Sequence, residues 1–173
     1  MKRLLLTLLL AVPASAFAEV KDATPAGFTV ENVEVVEATP AQAWSALTGQ
    51  VDDWWLPDHR WWGAEGRLSI DARAGGCFCE RAGVREAQHL QVVFVDAPTT
   101  LRMSGGLGPL QGMGLDGVLE FAIAEVDGRT RITMRYRAGG YTPDDMTRLA
   151  PVVDSVLAQQ LKSLAAHIDH AAR

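Results

Sequence analysis

The sequence predicts an α+β fold: a curved antiparallel sheet of about seven strands wrapped around one long C-terminal helix, with two short helices after the first strand. Three observations carry this expectation. Short runs of alternating apolar and polar residues recur between residues 28 and 136. Two of these runs meet at Asp127-Gly128, a strong hairpin-turn signal. Near the end, Val153, Leu157, Leu161, Leu164 and Ile168 recur at steps of three and four, which makes one apolar ridge. Such a ridge has to be buried, and the apolar face of a sheet is the available partner.

The elements follow in order. Phe28 and Val30 alternate with polar residues, and Val33 and Val35 continue one step out of register. That pattern predicts a first strand with a bulge near Glu31-Asn32. Thr39-Pro40-Ala41-Gln42 is a helix start, with Thr39 as cap, Pro40 in the first helical position and Gln42 closing a capping box. Trp44 and Leu47 are expected to face the core, Gly49 to end the helix, and a second short helix to run from Val51 to Leu56.

Strand patterns resume at Leu68-Ser69-Ile70 and, after Gly75-Gly76, at Cys77-Phe78-Cys79-Glu80. Leu90, Val92 and Phe94 share one face, with His89, Gln91, Val93 and Val95 on the other. Asp96-Ala97-Pro98 turns the chain into a strand over 100–104. The hairpin at Asp127-Gly128 sets a register in which Leu119 faces Tyr136, Phe121 faces Met134 and Ile123 faces Ile132, with Glu120 opposite Arg135 on the polar face. Thr142-Pro143-Asp144-Asp145 reads as the start of the last helix, and Pro151 as a break or kink in it.

The composition excludes several classes. With 48% hydrophobic and 21% charged residues, the chain is neither disordered nor multi-spanning. Its formal charge of −5 comes with no basic stripe, which argues against a nucleic-acid partner. The first eighteen residues read as an export signal: basic Lys2-Arg3, an apolar run from Leu4 to Val12, then Ala14-Ser15-Ala16-Phe17-Ala18, with cleavage after Ala18 or Ala16. A buried N-terminal helix is the alternative. Cleavage removes two basic residues, leaving a charge of −7 and no membrane span. The expected address is a bacterial periplasm or the medium, and the expected domain covers residues 26–171.

Ala38 to Trp44, Trp54-Trp55-Leu56-Pro57-Asp58-His59, Arg73 to Glu80, Gly128 to Ile132 and the Val152–Leu164 helix together resemble the START-like superfamily, also called Bet v 1-like, helix-grip or SRPBCC. Within it the chain is most similar to bacterial members grouped with homologues of the Hsp90-ATPase activator and with polyketide cyclases. The resemblance implies a sheet gripping a helix around a cavity. It also implies that the tryptophan-rich segment lies at the cavity mouth. Cytosolic members of that kind act on Hsp90, a partner that an exported chain does not meet.

The expected activity is therefore binding of a small hydrophobic or amphipathic molecule, or a lipid, in an internal cavity. An enzyme of the polyketide cyclase or dehydratase kind and a cell-envelope interaction module are the alternatives. Trp54, Trp55, His59 and Trp61 are the expected rim residues. Phe121, Met134 and Tyr136, which share one hairpin face, are the expected wall; the family's strand pattern adds Phe78. Asp71, Glu80, His89 and Tyr136 are candidates for acid–base work, but no catalytic set is assigned.

No cofactor and no metal are assigned. Gly112-Met113-Gly114-Leu115-Asp116-Gly117 has the glycines of a dinucleotide loop, yet a strand follows it where a helix is needed, so the segment from Gly105 to Gly117 reads as a flexible loop and strand bend, with a pocket lid as its expected role. Cys77 and Cys79 lie two apart on a strand, with Cβ atoms about 6.5–7 Å apart if the strand is regular. A disulfide needs about 3.8 Å. Free buried thiols, a disulfide on a distorted strand, and a metal site shared with His89 remain open readings.

Overall fold

The computed structural model describes residues 18–171. The expected export signal lies outside these residues apart from Ala18, which opens the first strand. Among the described residues eight strands form one antiparallel sheet: β1 (Ala18–Thr24), β2 (Gly27–Val36), β3 (Arg67–Ile70), β4 (Cys77–Ala82), β5 (Arg85–Asp96), β6 (Thr100–Ser104), β7 (Asp116–Val126) and β8 (Arg129–Gly139). Their spatial order is β1-β2-β8-β7-β6-β5-β4-β3. The helices are α1 (Pro40–Gly49), the single turn α2 (Val51–Trp54) and α3 (Met146–Ala171).

This order places the site. Strands β3 to β8 are a meander, and β2 pairs with the last of them. After β2 the chain must therefore travel from one side of the sheet to the far edge before β3 begins. The segment that does so contains α1, α2 and the tryptophan-rich residues.

The strand count is eight against the expected seven because of β1. It escapes sequence reading since Ala18 and Val20 alternate with Glu19 and Lys21 for only four residues before Asp22 breaks the period. Charge of this kind is how edge strands avoid further pairing. It also puts the helices after the second strand, not the first. The bulge expected near Glu31-Asn32 is absent: β2 pairs with β8 in continuous register, and the irregularity falls in β1 between Val20 and Asp22. The inner face of β2 is thus Phe28, Val30, Asn32, Glu34 and Val36, two of them polar.

The Asp127-Gly128 hairpin has the expected register, with Leu119, Phe121 and Ile123 opposite Tyr136, Met134 and Ile132. On the outer face Glu120 stands opposite Arg135, but its ion pair is with Arg102 of β6, at 2.6 Å. Arg135 pairs with Glu31 of β2. Cross-strand neighbours Glu31, Arg135, Glu120 and Arg102 make a row of alternating charge over four strands, and each pair forms at an end of the row.

Strand β5 departs from simple alternation. A register shift between Val92 and Phe94 turns Phe94 outward, where the Arg102 guanidinium lies 5.0 Å from its ring. A second shift, opposite Phe78 and Cys79, makes His89 an extra residue and turns it to the inner side beside Leu90.

Helix α1 has the expected cap: Thr39 accepts from the Gln42 N–H, and the Gln42 side chain accepts from the Thr39 N–H. Leu47 is fully buried, whereas Trp44 is half-buried. Helix α3 starts four residues later than Thr142. Asp145 acts as its cap, accepting from the N–H and hydroxyl of Thr147, and the helix continues through Pro151 without a break. Its buried face contains Leu157, Leu161, Leu164 and Ile168 as expected, together with Met146, Ala150 and Ala165.

Two polar residues share that face. Gln160 belongs to the site described below. Asp154 accepts from the Asn32 amide at 3.1 Å, and the Asn32 Oδ1 is buried without a partner. Burial holds the Asp154 carboxyl above its ordinary range, which the Asn32 bond only partly offsets. Burial raises the Glu34 carboxyl in the same way.

A raised carboxyl pKa favours the protonated group in the fold. That contribution is complete below the ordinary carboxylate pKa and is lost as pH rises through the raised value. Asp154→Asn keeps the acceptor, supplies a donor for Asn32 Oδ1 and removes the charge. It is expected to stabilise the protein at pH 7 by about 1 kcal/mol and to have little effect at pH 3. Urea unfolding midpoints at the two pH values check this.

Candidate functional site

The segment from Trp54 to Gly66 crosses the open end of the sheet as a strap built on two 3-10 turns, Pro57–His59 and Gly63–Glu65. Pro57 opens the first turn, where its missing N–H costs nothing. The strap is held by Arg60, whose side chain is only 4% exposed. Its guanidinium has five N–H donors. Nε donates to Trp55 O at 3.1 Å; Nη1 donates to Asp52 Oδ1 at 2.8 Å and Gly66 O at 2.9 Å. Nη2 donates to Asp52 O at 2.7 Å and to Trp55 O. All five are used. Asp52 Oδ1 also accepts the N–H of Leu68, at 2.9 Å, which ties β3 to the same clamp.

Glu80 of β4 makes the second tie. It is fully buried. Its carboxylate accepts the backbone N–H groups of Trp61 and Trp62, each at 3.0 Å, and meets His89 Nε2 at 2.9 Å. Gly66 is required here, since a Cβ at that position would lie 2.2 Å from Glu80 Oε1.

A carboxylate has no proton to give, so His89 Nε2 carries the hydrogen of this bond. In the neutral ring Nδ1 is then a bare acceptor. It has no hydrogen-bond partner among the described residues, and the His89 side chain lines a hollow. Burial pushes the His89 pKa below its ordinary value against the opposing pull of Glu80, so the ring is neutral at pH 7.

The hollow has a volume of ≈ 350 Å³. The strap supplies Trp55, Asp58, His59, Arg60 and Trp61, and the sheet supplies His89 and Tyr136. The loop between β6 and β7 adds Leu107, Leu110 and Met113, and α3 adds Leu149, Val153, Val156 and Leu157. Trp61 and Val152, 47% and 60% exposed, place its mouth at the surface.

His59 is a second polar group with an assigned tautomer. The buried Gln160 accepts the Leu56 N–H through Oε1 at 2.8 Å, so its Nε2 is turned to His59 Nδ1 and donates to it. The His59 hydrogen is therefore on Nε2. Tyr136, by contrast, spends its hydroxyl on backbone: it accepts the Leu107 N–H and donates to Gly105 O, each at 3.1 Å. Burial pushes its pKa up to about 12. It is an anchor for the β6–β7 loop, not an acid or base. Gly117 makes room for it, since a Cβ there would meet the Tyr136 ring and hydroxyl at 2.7 Å. That close approach accounts for the last glycine of the Gly112–Gly117 pattern. Leu107, Leu110 and Leu115 are buried, so this loop is part of the core.

Of the eight expected pocket residues, Trp55, His59, Trp61 and Tyr136 line the hollow. Trp54, Phe78, Phe121 and Met134 do not line it. Trp54 is 1% exposed, packs behind the strap against Trp55 and donates its indole N–H to Ala46 O. Phe121 and Met134 face inward as the hairpin register requires, but α3 and α1 fill the space over the middle of the sheet, so both are solid core. Phe78 lies one layer behind the wall, its ring 5.1 Å from Trp55 and 5.3 Å from His89. Asp71 is paired with Arg73 at the surface, away from the hollow.

Cys77 and Cys79 form a disulfide, which removes the free-thiol and metal readings. Gln160 and Arg60 were missed by sequence reading. Gln160 had a signal: it stands three residues after Leu157 and four before Leu164, a polar residue in a buried stripe. Arg60 had none, because its acceptors are mostly backbone carbonyls.

No family profile matches the sequence, and no curated protein matches it. Solved structures do. CalU16 from Micromonospora echinospora superposes with a TM-score of 0.61 at 14% identity, over 89% of this chain and 84% of that one. A Rhodobacter sphaeroides protein gives 0.60 at 16% identity, over 88% and 98%. MLL2253 from Mesorhizobium loti gives 0.60 at 19% identity, over 82% and 97%. The chain shares the fold of these proteins, an antiparallel sheet with a long C-terminal helix. At these identities the likeness establishes the fold alone.

The clamp predicts the behaviour of the strap. Arg60→Lys replaces five planar donors by three on one nitrogen, stranding buried acceptors at about 1–3 kcal/mol each. The variant is expected to lose about 2 kcal/mol or more of stability. Hydrogen exchange should quicken over residues 55–66 while the middle of α3 stays protected.

Proposed function

We propose that the chain binds a small, uncharged, largely apolar molecule that carries a hydroxyl group. The observation that carries this reading is the bare His89 Nδ1 on the wall of a mostly apolar hollow of ≈ 350 Å³. Binding sites of small molecules are mostly apolar, with a few placed polar groups that fix orientation. Here an acceptor, His89 Nδ1, and a donor, His59 Nε2–H, stand on the wall. A ligand hydroxyl can give its hydrogen to the first.

An anionic ligand fits poorly. Arg60 is the lining residue with a permanent positive charge, and its donors are all taken. His89 is held neutral by burial. A carboxylate would enter the hollow without a counter-charge, which is costly.

Isothermal titration of 1-naphthol against 1-naphthoate at pH 7.5 tests this. The naphthol should bind at least about tenfold more tightly, equivalent to 1.4 kcal/mol, with the preference lost in His89→Ala. Equal or tighter binding of the naphthoate would overturn the reading.

A second reading, an enzyme of the cyclase or dehydratase kind, is favoured by one arrangement. A carboxylate behind a neutral histidine with its other nitrogen free is a general-base pair. It acts on the same hydroxyl-bearing class of molecule.

We also propose that the chain is exported to a bacterial periplasm or the medium, which separates it from Hsp90. The support is the basic start, the apolar run and the Ala14–Ala18 cleavage pattern. Edman sequencing of material from the native host should begin at Glu19, or at Phe17 for the earlier site. Recovery of an intact Met1 would sink the proposal.

A further inference from the structure

The Cys77–Cys79 disulfide encircles a single residue, Phe78. The chain-entropy gain of a disulfide grows with the loop it closes, so this one adds little to the stability of the fold. Its local effect is larger. The two Cα atoms stand 5.3 Å apart, against about 6.6 Å for two rises in an ordinary strand. Strand β4 is therefore folded at Phe78.

The cysteines flank Phe78, so both point to the outer face while Phe78 points inward at the apex of the fold. Its ring presses on Trp55 and His89, two residues of the hollow's wall. The β4–β5 register shift falls at the same place, between Phe78 and Cys79, and that shift turns His89 inward. Cys77 is half-buried on the outer face, and Cys79 is 5% exposed.

We propose that Cys77–Cys79 is a thiol–disulfide exchange site for a dithiol reductant, and that its redox state sets the position of Phe78 and hence of the His89 wall. A reductant thiolate attacks Sγ of Cys77, the less buried of the two cysteines; the Cys77–Cys79 bond breaks, and Cys79 leaves as thiolate. The reductant's second thiolate then attacks its own sulfur in the mixed disulfide and releases Cys77 as thiolate. The dithiol is oxidised by two electrons to its disulfide. The two protein thiolates take up the protons that the dithiol gave off. With the link open, β4 relaxes toward ordinary strand spacing and draws Phe78 back from Trp55 and His89. The consequence for a ligand rests on the binding reading above; the exchange and the movement of Phe78 do not.

The test uses the full chain equilibrated in graded dithiothreitol, quenched with iodoacetamide and weighed, with circular dichroism on the same samples. Both cysteines should become alkylated while the far-ultraviolet spectrum stays native. The NMR titration midpoint of the His89 ring should move upward on reduction, as the ring loses its cover. Cys77→Ser/Cys79→Ser should show the higher midpoint without reductant, and Phe78→Leu the same midpoint with and without it. Alkylation only under conditions that unfold the chain would overturn the proposal. So would one His89 midpoint in oxidised and reduced wild type, a comparison that stands even if the double serine variant fails to fold. None of these measurements contains a ligand, so a failure of 1-naphthol to bind leaves the result intact.

Discussion

The buried guanidinium of Arg60 holds together a segment that has no regular structure of its own. From Trp55 to Gly66 the chain has two single 3-10 turns and no ladder partner for most of its backbone. Its carbonyls would be stranded at the end of the sheet without a donor. One side chain with five planar donors meets that demand, and Asp52 supplies the counter-charge and a bond to Leu68. Glu80 does the complementary work for the N–H groups of Trp61 and Trp62. A cation collects the acceptors of the strap and an anion collects its donors.

The polar wall of the hollow is a by-product of that arrangement. Glu80 is buried because it ties down the strap, and its second duty is to fix the hydrogen of His89 on Nε2. Gln160 bonds the Leu56 N–H for the strap's sake, and its amide nitrogen then fixes the hydrogen of His59. The same bonds that hold the loop thus leave one acceptor and one donor on two side chains that line the hollow. The tryptophans complete the picture: Trp54 anchors from below, while Trp55 and Trp61 face the space.

Helix α3 serves two regions. Its C-terminal half lays Leu161, Leu164 and Ile168 on the sheet and leaves no space there. Its N-terminal half meets the strap and the β6–β7 loop, and Leu149, Val153 and Val156 remain partly uncovered. The hollow therefore lies at one end of the grip. Phe121 and Met134, which share the face of Tyr136, fall in the filled part.

Much of the fold is local and was readable. The Thr39–Gln42 box, the Asp127-Gly128 turn with its register, and the α3 ridge depend on spacing along the chain, where short-range sterics and periodicity act. The strand β1 and the β5 shifts at His89 and Val93 were not, because β1 breaks its period at Lys21 and each shift sets one extra residue against the partner strand, which alternation along a single strand does not reveal. The site shows the same division. That aromatic residues crowd the strap is a matter of composition. That Trp55 and Trp61 face a space while Trp54 does not, and that Arg60 is consumed by carbonyls while His89 keeps a free nitrogen, follows from which groups the folded chain brings within bonding distance. Alternation assigns a side chain to a face of a strand; whether that face meets another layer or an opening is decided only when the layers pack.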